Sequence, residues 1–296
     1  MSEASILVLG ATGNVGSEVI KQLTVANQPV IAGIYNKLSQ SDDRLTNSLP
    51  VDYNDLDLLC RAFSGVGTLV VIIPDSPEME LHAQAIVRCA SECHIARYVL
   101  ISGAGVTLAP TNVLSQRLRA MEQQFVQSNM KGVILRPTFF MQNLINHFTA
   151  NELGEYHLAM GAGKVNYIDV RDVAKAVISA IGWLSWQLSK STVFHLTGSE
   201  SYTFSEVVGV LNEVCNSDFT YIDMPLSDQI TLLEKAGLPN WRVEMMTEVF
   251  MSIRKSSYDF WSEDFERLTE AKPVSLKEFV AADKTYFRTN YQLNHK

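Results

Sequence analysis

Residues 5–16 read Ser-Ile-Leu-Val-Leu-Gly-Ala-Thr-Gly-Asn-Val-Gly, a short apolar strand that runs into a glycine turn and then a helix. The glycines fall at Gly10, Gly13 and Gly16. Gly10 lets the backbone turn at the strand end without a Cβ clash. A side chain at Gly13 would block the approach of a pyrophosphate, and Gly16 lets the first helix pack closely on the strand. The free N–H groups of that helix then face the phosphates. The glycine pattern alone is weak; strand, turn and helix in this order supply the context that gives it meaning. The expectation is a dinucleotide-binding α/β unit.

Alternation along the chain supports that fold. Apolar strands are expected at 6–9, 30–35, 68–73, 98–102 and 133–136, with a further strand ending near Val51. Helical patterns fall between them at 15–26, 56–63, 78–94 and 112–130. Strands separated by amphipathic helices imply a Rossmann-type, doubly wound parallel sheet whose carboxyl ends form the ligand crevice. Later segments are mixed: strands at 165–168, 192–196 and 219–224, and helices at 170–183, 228–236 and 243–257. Thr203-Phe-Ser-Glu206 and Ser275-Leu-Lys-Glu278 have capping-box spacing, so helices should start there. The expected division is a dinucleotide-binding domain over 1–150, rejoined by about 165–197, and a smaller, mostly helical substrate-binding region over 198–296.

Charge and composition exclude several functions. The net charge is −8, and no basic run is longer than Arg254-Lys255, so binding of nucleic acid through its phosphates is disfavoured. No apolar run approaches the ~20 residues that span a bilayer. The first strand starts by about residue five, which leaves no room for a signal peptide, and the cytoplasm is the expected compartment. Cys60, Cys89, Cys93 and Cys215 are then expected as reduced thiols. Cys89 and Cys93 share a helix face beside His94, but no fourth ligand is near in sequence, and helix packing explains them without a metal.

The strand ends carry the candidate site. The second strand closes on Tyr35-Asn36-Lys37, with no acid to hydrogen-bond a ribose 2′-hydroxyl and one cation able to neutralise a 2′-phosphate. That leans the cofactor towards NADP(H) over NAD(H), although Lys37 also fits a solvated loop. Asp52, after the third strand, can accept from an adenine amino group or serve as a turn residue, with Asp55 capping the next helix. Ile73 and Pro74 end the fourth strand along the cofactor ribose, and Ser102 ends the fifth near the nicotinamide. None of the ten tyrosines has a lysine four residues later, so the Tyr-Lys acid–base pair of short-chain reductases is absent. Where the pair would lie the chain has Leu114 and Leu118, flanked by Arg117 and Arg119. There is also no H-x-x-x-H pair and no G-x-S-x-G elbow, which argues against zinc and serine hydrolases.

Several stretches together resemble the NmrA-like group of atypical short-chain dehydrogenase/reductase relatives. They include residues 10–16, 51–55 and 98–102, Leu135-Arg-Pro-Thr-Phe-Phe-Met-Gln-Asn143, Ile168-Asp-Val-Arg-Asp-Val-Ala174, 194–198 and 202–206. Glu278-Phe-Val280 resembles the closing helix. The chain looks like the branch that holds triphenylmethane reductase and the NADPH quinone oxidoreductases. The resemblance implies that Gly10, Thr12, Gly13, Asn14 and Val15 wrap the pyrophosphate and that Pro137 and Thr138 lie on the nicotinamide side. It departs at Tyr35, where NADP-binding relatives commonly carry arginine, and it lacks a lysine that some relatives keep on the helix before Glu122.

Phe139, Phe140 and Met141 follow Pro137, and an apolar wall beside a nicotinamide suits a quinone-like or conjugated aromatic acceptor. Core packing between sheet and cap explains the two phenylalanines equally well. Ser102 and Asn143 are the polar groups available to orient a substrate. The expected activity is NAD(P)H-dependent hydride transfer to such a small molecule by a monomer or homodimer. The alternative is a dinucleotide-sensing regulator that binds NAD(P) and a protein partner without turnover.

Overall fold

The computed structural model describes residues 5–35, 47–183 and 191–287. Seven strands form one wholly parallel sheet: β1 (Ser5–Leu9), β2 (Val30–Tyr35), β3 (Ser48–Val51), β4 (Val66–Val71), β5 (Arg97–Ile101), β6 (Lys131–Pro137) and β10 (Thr192–Leu196). Their spatial order is β3-β2-β1-β4-β5-β6-β10. The chain direction across the sheet reverses between β1 and β4, which opens a crevice at the carboxyl ends of those strands.

Both faces of the sheet are covered, so its central strands carry continuous apolar runs such as Ile6–Leu9, Leu69–Val71 and Val99–Ile101 and do not alternate. On one face α1 (Asn14–Val25) and α7 (Val170–Trp183) bury Val19, Leu23, Val173 and Val177 against Val8, Val99 and Leu135. On the other, α2 (Leu56–Phe63), α3 (Met79–Glu92) and α5 (Val113–Val126) bury Leu59, Phe63, Ile86 and Phe125 against Leu7, Leu69 and Leu100. Asp55 caps α2 by accepting from the Leu58 N–H at 2.9 Å.

Three cysteines meet on this second face. The packing of α2 against α3 brings Cys60 and Cys89 into a disulfide, with their Cα atoms 5.0 Å apart. The expectation of four reduced thiols is therefore corrected. Cys89 and Cys93 lie one helical turn apart, yet the bonded partner of Cys89 comes from the neighbouring helix and Cys93 is a free thiol. Among the described residues no group of His, Cys, Asp and Glu is arranged to hold a metal. No described helix is long and apolar enough to cross a membrane.

A third apolar cluster lies beyond the carboxyl edge of the sheet and draws on chain segments before and after β10. It joins Met141, Leu144, Phe148, Tyr156 and Tyr167 to Phe204, Leu211, Phe250, Ile253 and Phe279. Its frame is α8 (Phe204–Cys215), α9 (Leu226–Lys235), α10 (Asn240–Arg254), α12 (Leu276–Ala282) and two small sheets. One is β11 (Ser201–Thr203), β9 (Lys164–Ile168) and β7 (Phe139–Phe140); the other is β12 (Thr220–Asp223) with β8 (Glu155–Leu158). Both expected capping boxes are present: Thr203 and Ser275 accept from the Glu206 and Glu278 N–H groups while those glutamates reach back. The sequence patterns missed β7, β8, β11, α4 (Gly105–Leu108), α6 (Asn143–Asn146) and α11 (Asp264–Thr269), each too short to show a period.

Candidate functional site

The glycine turn stands at the carboxyl end of β1. Gly10 has φ +75°, and a Cβ there would overlap Ile72 O. A Cβ on Gly16 would overlap Gly10 O, so α1 packs on the turn only because no side chain intervenes. Gly13 is different: an added Cβ meets only Gly10 O at 3.5 Å, and the residue is open to solvent between Thr12 and Asn14. It is the N-cap of α1, and no side chain caps that first turn or places an acid in it. The free N–H groups and the helix dipole therefore form an anion seat that a pyrophosphate fits.

Beyond β2 the Tyr35 ring stacks on Tyr53, centroids 5.4 Å apart, and Tyr53 in turn leans on His82 at 5.0 Å. Asp52 Oδ1 accepts from the Asn54 N–H at 2.9 Å, so one oxygen of this carboxylate holds the turn after β3. Lys37, expected near a 2′-phosphate, lies outside the described residues.

Polar atoms without partners trace the rest of the crevice. Among the described residues the buried unpartnered side-chain atoms are Asp75 Oδ1, Ser76 Oγ, His82 Nδ1, Ser102 Oγ and Arg117 Nη1. All five come from the loops after β4 and β5 or from the helices that follow them. A buried polar atom without a hydrogen bond costs about 1–3 kcal/mol, so their grouping fits a polar ligand laid along this edge. Burial raises the Asp75 carboxyl above the ordinary carboxylate range, against the pull of Arg242 and Arg117. It lowers His82, which favours the neutral ring, against the pull of Glu78 and Asp52. Ile73 is buried beside this edge and Pro74 exposed.

Ser102 continues β5, its N–H donating to Leu135 O at 2.8 Å. The facing helix closes over it so tightly that Leu118 Cδ1 would lie 3.0 Å from a Cβ on Gly103. Leu118 thus occupies the side of α5 that faces the strand end. Arg136 donates through Nε and Nη2 to the two Glu122 carboxylate oxygens at 2.9 and 2.6 Å. This buried pair ties α5 to β6.

After β6 the expected residues separate. Pro137 O accepts from the Ala104 N–H at 2.9 Å, which joins the ends of β5 and β6. Thr138 turns its hydroxyl inward to Asn166 Oδ1 at 3.1 Å and Leu196 O at 3.3 Å. Phe139 and Phe140 alternate across β7, as side chains in a strand must. Phe139 packs edge-on against Tyr258 and Tyr167 in the cap cluster, whereas Phe140 joins the α1–α7 face. A single wall containing both rings is therefore corrected to two opposite faces. Asn143 opens α6, and Gln142 beside it is fixed to Asp169 Oδ1 and the Val170 N–H at 2.9 and 3.1 Å.

Residues missed in the sequence hold these loops together. Asn166, fully buried, accepts from Thr138 Oγ1 and the Gly198 N–H and donates to Gly198 O and Glu200 O. An asparagine inside an apolar strand is the signal that could have revealed it. Asp75, Ser76 and His82 gave none, because only the fold turns them into the crevice.

The comparisons agree with this geometry. The NAD(P)H-binding family model matches residues 10–182, which holds the glycine turn and the strand ends. A curated relative, the NAD(P)H azoreductase of Xenophilus azovorans, is 27% identical over 83% of this chain and 86% of its own. The NADPH complex of the Escherichia coli quinone oxidoreductase superposes with a TM-score of 0.80 at 22% identity, over 94% of this chain and 99% of that one. The Citrobacter sp. triphenylmethane reductase complexed with NADP(H) gives 0.79 at 22% identity over the same shares. On the family model and the crevice that meets it, the chain belongs to the NAD(P)H-binding family.

Proposed function

We propose that the protein is an NAD(P)H-dependent reductase that delivers hydride directly to a quinone-like or conjugated aromatic acceptor. The observation that carries the proposal is the end of β5: the Ser102 hydroxyl is buried without a partner, and Leu118 of α5 closes on Gly103 beside it. Neither a serine hydroxyl nor a leucine is an acid near neutral pH, and such acceptors need positioning more than a strong acid. Gly10, Thr12, Gly13, Asn14 and Val15 wrap the pyrophosphate, and Gly16 lets α1 pack closely enough to present its first turn to it. Tyr35 and Asp52 flank the adenine end, Ile73 and Pro74 the ribose, and Pro137 and Thr138 the nicotinamide side. When bound, the reduced nicotinamide supplies the hydride. Ser102 and Asn143 orient the acceptor, Phe139 shapes its apolar side, and the C-terminal helices α8, α10 and α12 exclude water above it. The names of the similar reductases support this class of chemistry.

Lys37 and the lack of an acid after β2 support NADP(H) as the preferred form. Calorimetry on Lys37→Ala, with an NADP/NAD affinity ratio unchanged from the parent, would remove that preference. A second reading, a dinucleotide-sensing regulator, is favoured by the missing Tyr-Lys pair. A screen of NADPH and NADH oxidation against quinones, azo dyes and triphenylmethane dyes decides between them: acceptor-dependent oxidation supports the reductase, and tight binding without oxidation supports the sensor.

A further inference from the structure

The roof of the crevice carries a feature that hydride transfer alone leaves unused. Helix α10 is pinned to the start of α5, where Asn112 Nδ2 donates to Ser252 Oγ at 3.1 Å and the Val113 N–H to Glu248 Oε2 at 2.6 Å. Two helical turns before Glu248, on the same face, is Trp241. One turn after Val113 is Arg117, whose guanidinium lies over the Trp241 ring at 5.4 Å. The anchored helices thus fix the indole and the cation against each other. Arg242, the next residue, is exposed and lies within electrostatic range of both Asp75 and His147. It therefore stands between the loop after β4 and the loop after α6.

Neither guanidinium is committed elsewhere. Arg88, Arg136, Arg171, Arg254 and Arg267 each pair with a carboxylate. Among the described residues Arg117 and Arg242 form no such pair, nor do Arg61, Arg97 and Arg119; Arg117 and Arg242 stand apart because both lie within electrostatic range of Asp75 and Arg117 Nη1 is buried without any partner. In a chain of net charge −8, two arginines that face the Asp75 carboxyl leave a local excess of positive charge. An aromatic platform beside them selects shape as well as charge.

We propose that Arg117 and Arg242, with the Trp241 indole, bind the anionic substituent of a flat aromatic acceptor, a carboxylate or sulfonate on the ring that is reduced. The proposal rests on the reductase reading and names its substrate class. The site favours the anion over the neutral parent ring, because a carbonyl oxygen can accept a hydrogen bond from Arg117 but only a full negative charge offsets the two guanidinium charges.

The test compares a neutral naphthoquinone with its sulfonate under NADPH, in the parent protein, Arg242→Gln and Arg117→Gln. A charge-assisted contact predicts a KM about tenfold or more lower for the sulfonate in the parent. In either variant the ratio of the two KM values collapses towards one. Arg242 is exposed, so its variant remains informative should Arg117→Gln melt early. A parent ratio near one, or a ratio untouched in Arg242→Gln, overturns the proposal. So does a weaker Kd for NADPH with the acceptor ratio intact, since the arginines would then serve the cofactor. Calorimetric binding of naphthalenesulfonate to the NADP-loaded protein separates this failure from that of the reductase reading. Arginine-dependent binding without turnover of any quinone removes the reductase and keeps the anion site; binding equal in parent and variants removes the site.

Discussion

Alanine at two glycines three residues apart should have opposite consequences. At Gly13 the backbone has φ −77°, which alanine adopts freely, and the new Cβ makes only an ordinary contact with Gly10 O at 3.5 Å. The fold loses nothing, and the reduced freedom of the unfolded chain adds about 0.4–1 kcal/mol, a rise of roughly 1–3 °C in Tm for a chain this size. The same Cβ stands where the pyrophosphate must approach the first turn of α1. Loss of one N–H bond to a charged oxygen is worth about 1.5–3 kcal/mol, so NADPH affinity should fall at least tenfold. At Gly16 the Cβ would overlap Gly10 O and stand 2.8 Å from Gly10 C and 2.9 Å from Ala11 Cα. All three are backbone atoms that cannot rotate away. Overpacking of this kind costs about 1–3 kcal/mol or more, so Gly16→Ala should lower Tm by at least ~2 °C whether or not cofactor is present. Thermal melts and NADPH calorimetry on both variants provide the check. Parent-like affinity in Gly13→Ala, or a parent-like melting temperature in Gly16→Ala, refutes the division of roles between the two glycines.

Three further outcomes follow from the electrostatics and the site. Asp172 is buried and its carboxyl is pushed up to about 6, chiefly by desolvation, so the fold favours the neutral form. Its stabilising contribution is full below the ordinary carboxylate pKa and is lost as pH rises through that raised value. Asp172→Asn, which keeps an oxygen for the Val274 N–H, should therefore stabilise the protein by up to about 3 kcal/mol well above that pH and by little in acid, as denaturation across pH would reveal. Glu122→Ala should cost about 3 kcal/mol by denaturant titration, because it leaves the mostly buried Arg136 charge without its carboxylate. Ser102→Ala should lower kcat/KM by about 1–2 kcal/mol without abolishing turnover, and the rate should vary weakly with pH near neutrality. Complete inactivation or a steep bell-shaped profile would reveal an acid that these residues do not supply.

The Rossmann sheet was legible because its strands and helices are long enough to carry a period and its first turn needs glycine for steric reasons. The helix starts at Thr203 and Ser275 were legible for a similar reason, since a capping box is local chemistry. The cap was harder to see. Its strands β7, β8 and β11 are two to four residues long and gain their pairing from distant partners. The Phe139–Phe140 pair shows the limit well: adjacent aromatic residues suggest one wall, but a two-residue strand sends them to opposite faces. Cys60 and Cys89 make the same point, because their pairing depends on how α2 meets α3. Asp75, Ser76 and Arg117 look like ordinary surface residues until the loops after β4 and β5 are set side by side.

The most direct test of the reductase account is anaerobic turnover of a quinone with NADPH carrying deuterium at the transferable C4 position. Direct hydride transfer predicts one hydroquinone formed per NADPH consumed, with oxidation slowed by the label. Tight NADPH binding with no consumption, or consumption at a rate indifferent to the label across the quinones tried in single turnover, would contradict it.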